Sequence, residues 1–157
     1  MSRDSTKLLD PIGWRLLEVL QQNARLSLAE IGRLVGLSAA GVADRIRRYE
    51  DAGIIGGYHA HICPEAVGLS VKAFLHLRVP VTQTQRFLEI AQQTPEIHEC
   101  SFVTGEETYI AIVYVESLDH LAEVIEHLRV YGEIVTSLVL KTPISSRLFG
   151  PNRYHDH

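Results

Sequence analysis

The sequence predicts an α+β chain of two modules: an N-terminal helix-turn-helix (winged-helix-like) unit, then a ferredoxin-like βαββαβ domain. Three observations carry that expectation. Apolar residues recur at helical spacing through the first sixty positions, and two of those helices are separated by only three residues. Beyond residue 70 the apolar period shortens to two, and strands alternate with helices. The expected divisions are 8–56 for the helical unit, 57–70 for a linker strand and turn, 71–144 for the sheet domain and 145–157 for a tail.

The first helix begins at Pro11, since a missing N–H costs nothing in a first turn, and Asp10 stands where an N-cap belongs. Ile12, Leu16, Val19 and Leu20 form its apolar stripe, and Asn23 ends it. Trp14 falls opposite the stripe, either as a tolerated exposed aromatic or as a contact with another module or subunit. Ser27 and Glu30 spell a capping box for a short helix from Leu28 to Val35, which Gly36 stops in the left-handed conformation. Ser38 caps a third helix that points Val42, Ile46 and Tyr49 inward and ends at Gly53. Joined only by Gly36-Leu37-Ser38, the second and third helices must cross steeply.

The connector 57–62 reads as extended. After it, Val71, Ala73, Leu75, Leu77 and Val79 alternate with Lys72, Phe74, His76 and Arg78, a strand with one apolar face. Phe87, Leu88 and Ala91 mark a helix between Thr84 and Pro95. Strands follow at about Ile97–Thr104 and Thr108–Glu116, joined by Gly105-Glu106-Glu107. Ser117 caps a helix with Leu118, Leu121, Ala122, Ile125 and Leu128 on one face, Gly132 stops it, and a last strand spans about Glu133–Thr142. The strand Thr108–Glu116 is apolar on both faces: Tyr109, Ala111, Val113 and Val115 on one, Ile110, Ile112 and Tyr114 on the other. Two helices cover only one face of four strands, so the second face calls for a second copy of the sheet. A homodimer follows.

The 157 residues are 46% hydrophobic and 22% charged, which argues against wholesale disorder. No stretch approaches the ~20 apolar residues that span a bilayer, and Met1–Lys7 lead into no signal-peptide core. Cys63 and Cys100 fit neither a zinc knuckle nor a disulfide scaffold. A cytoplasmic protein without membrane contact is expected. The net charge of −4 conceals a split: residues 1–62 carry +1 and residues 63–157 carry −5. Arg45, Arg47 and Arg48 form a local basic patch on the third helix.

With Val42, Ile46 and Tyr49 inward, Ala40, Gly41, Asp44, Arg47 and Arg48 face out, with Ala39 nearby and Arg45 on a flank. Small residues let the helix end press into a major groove of double-stranded DNA, where its amides and Ser38 meet phosphate and arginines pair with phosphate or guanine. Arg25 and Ser27 are candidates for backbone phosphate contacts. The plainer alternative is a solvated basic helix, which the capped short helix and three-residue turn disfavour. His59 and His61 alternate, but no third ligand stands at a metal-site spacing, so no metal is expected and a polar strand face is the simpler reading. His98, His120 and His127 read as surface positions, and Cys100 as a small core or interface residue. No Ser-His-Asp pattern, P-loop or GxGxxG is present, so no catalytic residues are assigned.

Taken together, Leu9-Asp10, Asn23-Ala24-Arg25-Leu26-Ser27, Val35-Gly36-Leu37-Ser38, Arg45-Ile46-Arg47-Arg48-Tyr49-Glu50 and Gly53-Ile54-Ile55-Gly56-Gly57-Tyr58 resemble the Lrp/AsnC (feast/famine) transcription regulators. Glu99-Cys100-Ser101-Phe102-Val103-Thr104-Gly105, followed by Tyr109, is similar to that family's ligand-loop segment. The resemblance runs from residue 8 to about 148. It implies a sequence-specific DNA-binding regulator whose sheet domain senses a ligand, forms dimers and often assembles into octamers. It further implies an amino-acid effector between dimers, near Thr104, Gly105, Glu106, Thr108, Tyr109 and Thr136, with no other cofactor.

The family's Gly-Asp-x-Asp-Tyr reads here Gly105-Glu106-Glu107-Thr108-Tyr109, so Glu106 keeps a carboxylate and Thr108 replaces one. A ligand-independent architectural DNA-binding protein is therefore an alternative. Sirohaem decarboxylases also resemble the family in both modules, but residues 100–109 here contain no His or Arg to serve as a proton donor or carboxylate clamp.

Overall fold

The computed structural model describes residues 8–145 and 147–151; the polar N-terminus and the end of the tail lie outside the described residues. The chain divides into two compact units, His61–Pro143 as one and the segments up to Ala60 and from Ile144 as the other. The expected linker is therefore divided between the units. The tail joins the helical unit instead of standing apart.

In the helical unit, α1 (Pro11–Gln22), α2 (Leu28–Val35) and α3 (Ala39–Asp51) start where their caps predict. Asp10 accepts the Gly13 amide, Ser27 and Glu30 close a full capping box, and Ser38 accepts the Gly41 amide. The core is Leu16, Leu17, Val19, Ile31, Val35, Val42 and Tyr49. Within α1 the stripe is rotated from the expected one: Ile12 is exposed and Leu17 buried. Tyr49 is the reason. A Cβ on Gly13 would collide with the Tyr49 hydroxyl, so that ring, and not Ile12, fills the space beside the first turn. Trp14 is half-buried against this same core, which answers neither expectation of an exposed ring nor of a contact elsewhere.

The steep turn after α2 depends on two glycines. Gly36 takes φ 74°, and the Leu37 amide donates back to the Gly32 carbonyl at 2.9 Å. Any side chain on Gly32 would strike the Leu37 carbonyl. No strand follows α3 in this unit among the described residues; the Ile54 and Ile55 amides instead donate to the Tyr49 carbonyl. At the far end of α1, the Gln21 amide brackets the tail, accepting from the Phe149 N–H at 2.8 Å and donating to its carbonyl at 2.9 Å.

The sheet unit holds β1 (Val71–Arg78), α4 (Thr84–Gln93), β2 (Ile97–Phe102), β3 (Tyr109–Val115), α5 (Leu118–Leu128) and β4 (Glu133–Leu138). All pairings are antiparallel and the strand order is β2-β3-β1-β4, the ferredoxin-like arrangement. The helix-facing side buries Ala73, Leu75, Leu77, Tyr109, Ala111, Val113 and Val115 against Phe87, Ala91, Leu121, Val124 and Leu128. Within α5, Leu118 and Ala122 are exposed and Val124 is buried, because the buried arc is centred on Leu121, Val124 and Leu128. Gly132 ends the helical stretch, as expected, but one short turn beyond α5. A 3-10 turn over Arg129–Tyr131 follows α5, Gly132 is extended at φ 171°, and a Cβ there would collide with the Arg78 carbonyl. β2 and β4 each end earlier than expected, at Phe102 and Leu138.

The opposite side of the sheet carries Phe74, Ile110, Ile112 and Tyr114, all half-buried, with Val135 66% exposed. Register places them together: Phe74 is opposite Ile112, and His76 is opposite both Ile110 and Val135. The Lys72 ammonium lies 5.7 and 5.4 Å from the Phe74 and Tyr114 ring centres. No helix of the described residues is long and apolar enough to cross a membrane.

Candidate nucleic-acid interface and regulatory loop

At the start of α3, Ser38, Ala39 and Ala40 are exposed and Gly41 is half-buried. The Ser38 hydroxyl accepts the Gly41 amide at 3.1 Å and keeps its own proton to donate. One turn on, Asp44, Arg47 and Arg48 share the exposed face. The Asp44 carboxylate accepts Arg47 Nη2 at 2.9 Å and stands 3.1 Å from Arg48 Nη2. Exposed pairs of this spacing contribute only a few tenths of a kcal/mol, so phosphate can compete for both guanidiniums.

Two other expected contacts have work elsewhere. Arg45 makes two parallel bonds to the Asp10 carboxylate, both 2.8 Å, and points a third at the Tyr49 hydroxyl at 3.4 Å. It ties α3 to the start of α1. The Ser27 hydroxyl donates to Glu30 at 2.6 Å while accepting the Glu30 amide, which leaves it no proton for phosphate. Arg25 is exposed, with its own amide on Asn23.

The Asp10 carboxyl is held below the ordinary carboxylate range, first by the Arg45 hydrogen bond and then by the Gly13 amide. A depressed folded-state pKa means its stabilisation is complete above the unfolded value of about 3.9 and is lost as pH falls through the folded one. Asp10→Asn should therefore lose less stability than wild type on acidification below about pH 4. Urea midpoints against pH test this; parallel curves for the two proteins would uncouple Asp10 from acid unfolding. At neutral pH the variant also gives up the Arg45 ion pair.

In the sheet unit, the β2–β3 loop carries the second set of expected residues. Gly105 sits at φ 129°, a conformation that side chains rarely adopt, so glycine is required by the turn itself. Thr104 and Glu106 are exposed. Arg78 joins them from the end of β1: its Nε donates to the Glu106 carbonyl at 3.2 Å and its Nη2 to the Glu106 carboxylate at 3.2 Å. Its Nη1 reaches Glu133 at the start of β4, 3.4 Å away. Arg78 and Glu133 carried no motif, only charge at strand ends that register brings opposite each other.

The remaining expected residues are placed otherwise. The Thr108 hydroxyl accepts the Val79 amide at 2.7 Å and lies 3.4 Å from the Val79 carbonyl, pinning the loop to β1. Tyr109 is buried between Phe87 and Phe102, ring centres 5.0 and 5.4 Å away, as a core aromatic. Thr136 lies opposite Leu75 on edge strand β4, with β1 between it and β3. The structure gathers Glu106, Arg78 and Glu133, and it does not bring Thr136 to them.

His98 is exposed, edge-on to Tyr114, while His120 is half-buried 3.0 Å from Glu96, not a free surface position. Burial pushes the Cys100 thiol up, away from the reactive thiolate. Among the described residues no three His, Cys, Asp or Glu side chains gather as a metal ion requires.

A helix-turn-helix with arginines on its exposed third helix, in one chain with a ferredoxin-like sheet unit, defines a DNA-binding regulator of transcription. Comparison with known proteins agrees. Residues 9–50 match the AsnC-type helix-turn-helix domain and residues 72–149 the Lrp/AsnC ligand binding domain. The HTH-type transcriptional regulator YezC of Bacillus subtilis is 35% identical over 134 residues, covering 85% of this chain and 95% of that one. A Neisseria meningitidis regulator solved with L-methionine superposes with a TM-score of 0.86 at 28% identity, covering 92% of this chain and 97% of its own. The feast or famine regulatory protein of Mycobacterium tuberculosis, also solved with L-methionine, gives 0.80 at 32% identity over 91% and 99% of the chains. The chain belongs to the Lrp/AsnC family of transcriptional regulators. The relatives it matches over most of its length are named as transcriptional regulators.

Proposed function

We propose that this regulator works in the cytoplasm as a homodimer, assembled further into octamers, whose hold on specific DNA sites changes when an amino acid binds between dimers. The exposed face of α3 carries this reading. Its free helix start, small residues and paired arginines fit a major groove, with Ser38, Ala39, Ala40 and Gly41 at the floor and Arg47 and Arg48 reaching phosphate or guanine. Arg25 supports it from the turn before α2. The L-methionine bound by the two structural relatives supports an amino-acid effector, which this reading assigns to the loop of Thr104, Gly105 and Glu106. A ligand must prefer one assembly or DNA-bound form in order to regulate.

A second reading has one observation in its favour. Thr108 replaces an acid, and its hydroxyl is already engaged by Val79, which suits an architectural protein that responds to no ligand. The test is to select binding sites from a random duplex pool, then titrate the complex with each of the twenty amino acids. Under the first reading at least one amino acid shifts both DNA affinity and sedimentation. Twenty silent titrations would leave the architectural reading standing.

A further inference from the structure

We propose that Arg78 and Glu133 complete the effector site, and that the ligand binds by exchanging partners within the Arg78–Glu106–Glu133 cluster. The proposal rests on the amino-acid reading above and names the groups that would recognise the zwitterion. Of the side chains first expected at the loop, Thr108 is engaged by the Val79 backbone and Tyr109 is buried, while Thr136 pairs with Leu75, on the side of the sheet that faces the helices. The loop by itself then offers an ammonium a carboxylate, Glu106, but offers a ligand carboxylate no cation. Arg78 supplies one.

The geometry suits an exchange. Arg78 Nε on the Glu106 carbonyl fixes the guanidinium plane, while Nη1 and Nη2 point at the carboxylates of Glu133 and Glu106. Those two nitrogens are the pair that a free carboxylate takes in a forked contact. The three side chains come from β1, the β2–β3 loop and β4, and all are exposed, so the ion pairs contribute little that opposes their replacement. An α-amino acid brings one charge of each sign. Its carboxylate takes the two terminal nitrogens of Arg78 and its ammonium takes the two carboxylates released, so every charged group keeps an opposite partner. A carboxylic acid alone takes Arg78 and leaves both glutamates without a cation, while an amine alone must compete with Arg78 for their carboxylates. The site is thus selective for zwitterions.

The experiment is calorimetry on the full chain with the twenty amino acids, then with the amine lacking the carboxylate of whichever amino acid binds. Arg78→Met should weaken the amino acid by about tenfold or more. Arg78→Lys should recover part of that, and Glu133→Gln should cost a few-fold. The amine should bind Arg78→Met more tightly than wild type, because losing the guanidinium frees both carboxylates for the ammonium; a merely structural arginine would weaken both ligands together. Thermal melts confirm that each variant is folded. Amino-acid binding that survives Arg78→Met unchanged, or an amine that weakens in Arg78→Met along with the amino acid, overturns the exchange and leaves the amino-acid reading intact. No binding by any of the twenty overturns both.

Discussion

Replacing Ile112 by aspartate is expected to convert the protein into a folded monomer. Ile112 sits at the centre of the sheet face that neither α4 nor α5 covers, opposite Phe74 and flanked along β3 by Ile110 and Tyr114. In the isolated chain the position is only half-buried, so an aspartate there keeps its water. Between two such faces the carboxylate would be dry and unpaired, at a cost of several kcal/mol. A penalty of ~4 kcal/mol lowers an association constant by about a thousandfold. Sedimentation reads the assembly and circular dichroism the fold. An Ile112→Asp protein that stays a folded dimer would mean that another surface joins the subunits.

Removing Arg47 and Arg48 together should reduce DNA affinity roughly a hundredfold, taking about 1.5 kcal/mol for each charge-assisted hydrogen bond to phosphate or guanine. The slope of log affinity against log salt should become shallower by about two units, one for each phosphate that an arginine no longer neutralises. Asp44 gives the prediction a second arm of opposite sign. Its carboxylate occupies both guanidiniums in the free protein, so Asp44→Asn should raise affinity for arbitrary duplex a few-fold and narrow the margin between target and non-target. Unchanged affinity and slope in Arg47→Ala/Arg48→Ala would move the interface off α3.

Features legible in the sequence are those whose partners are neighbours along the chain. Asp10, Ser27, Ser38 and Ser117 each cap a helix by reaching three residues ahead, and all four do so in the structure. Strand alternation in β1 and β3 survives because each is hydrogen-bonded on both sides. The edge strands β2 and β4 lack a partner on one side and end short of their apolar text. Interactions between distant parts of the chain left no trace in spacing. Arg45 reads as one more arginine of a basic helix until Asp10, 35 positions away, takes it. Arg78 reads as the polar phase of a strand until register sets Glu133 opposite and the hairpin sets Glu106 beside it. The phase of a helix stripe is similarly decided from outside: Ile12 yields to Tyr49 because a ring from α3 arrives at Gly13.

The bracket that Gln21 places on Phe149 has a practical consequence for anyone who alters the C-terminus. Its side-chain amide offers an acceptor and a donor in parallel, copying an adjoining strand's backbone for one residue. The chain thus returns to its first helix after completing the sheet, and the sheet unit is, in topology, an insertion within the helical one. Cutting the chain after residue 143, or fusing a purification tag close behind Phe149, is therefore expected to disturb the helix-turn-helix unit, although the sheet unit is its nearer neighbour in sequence.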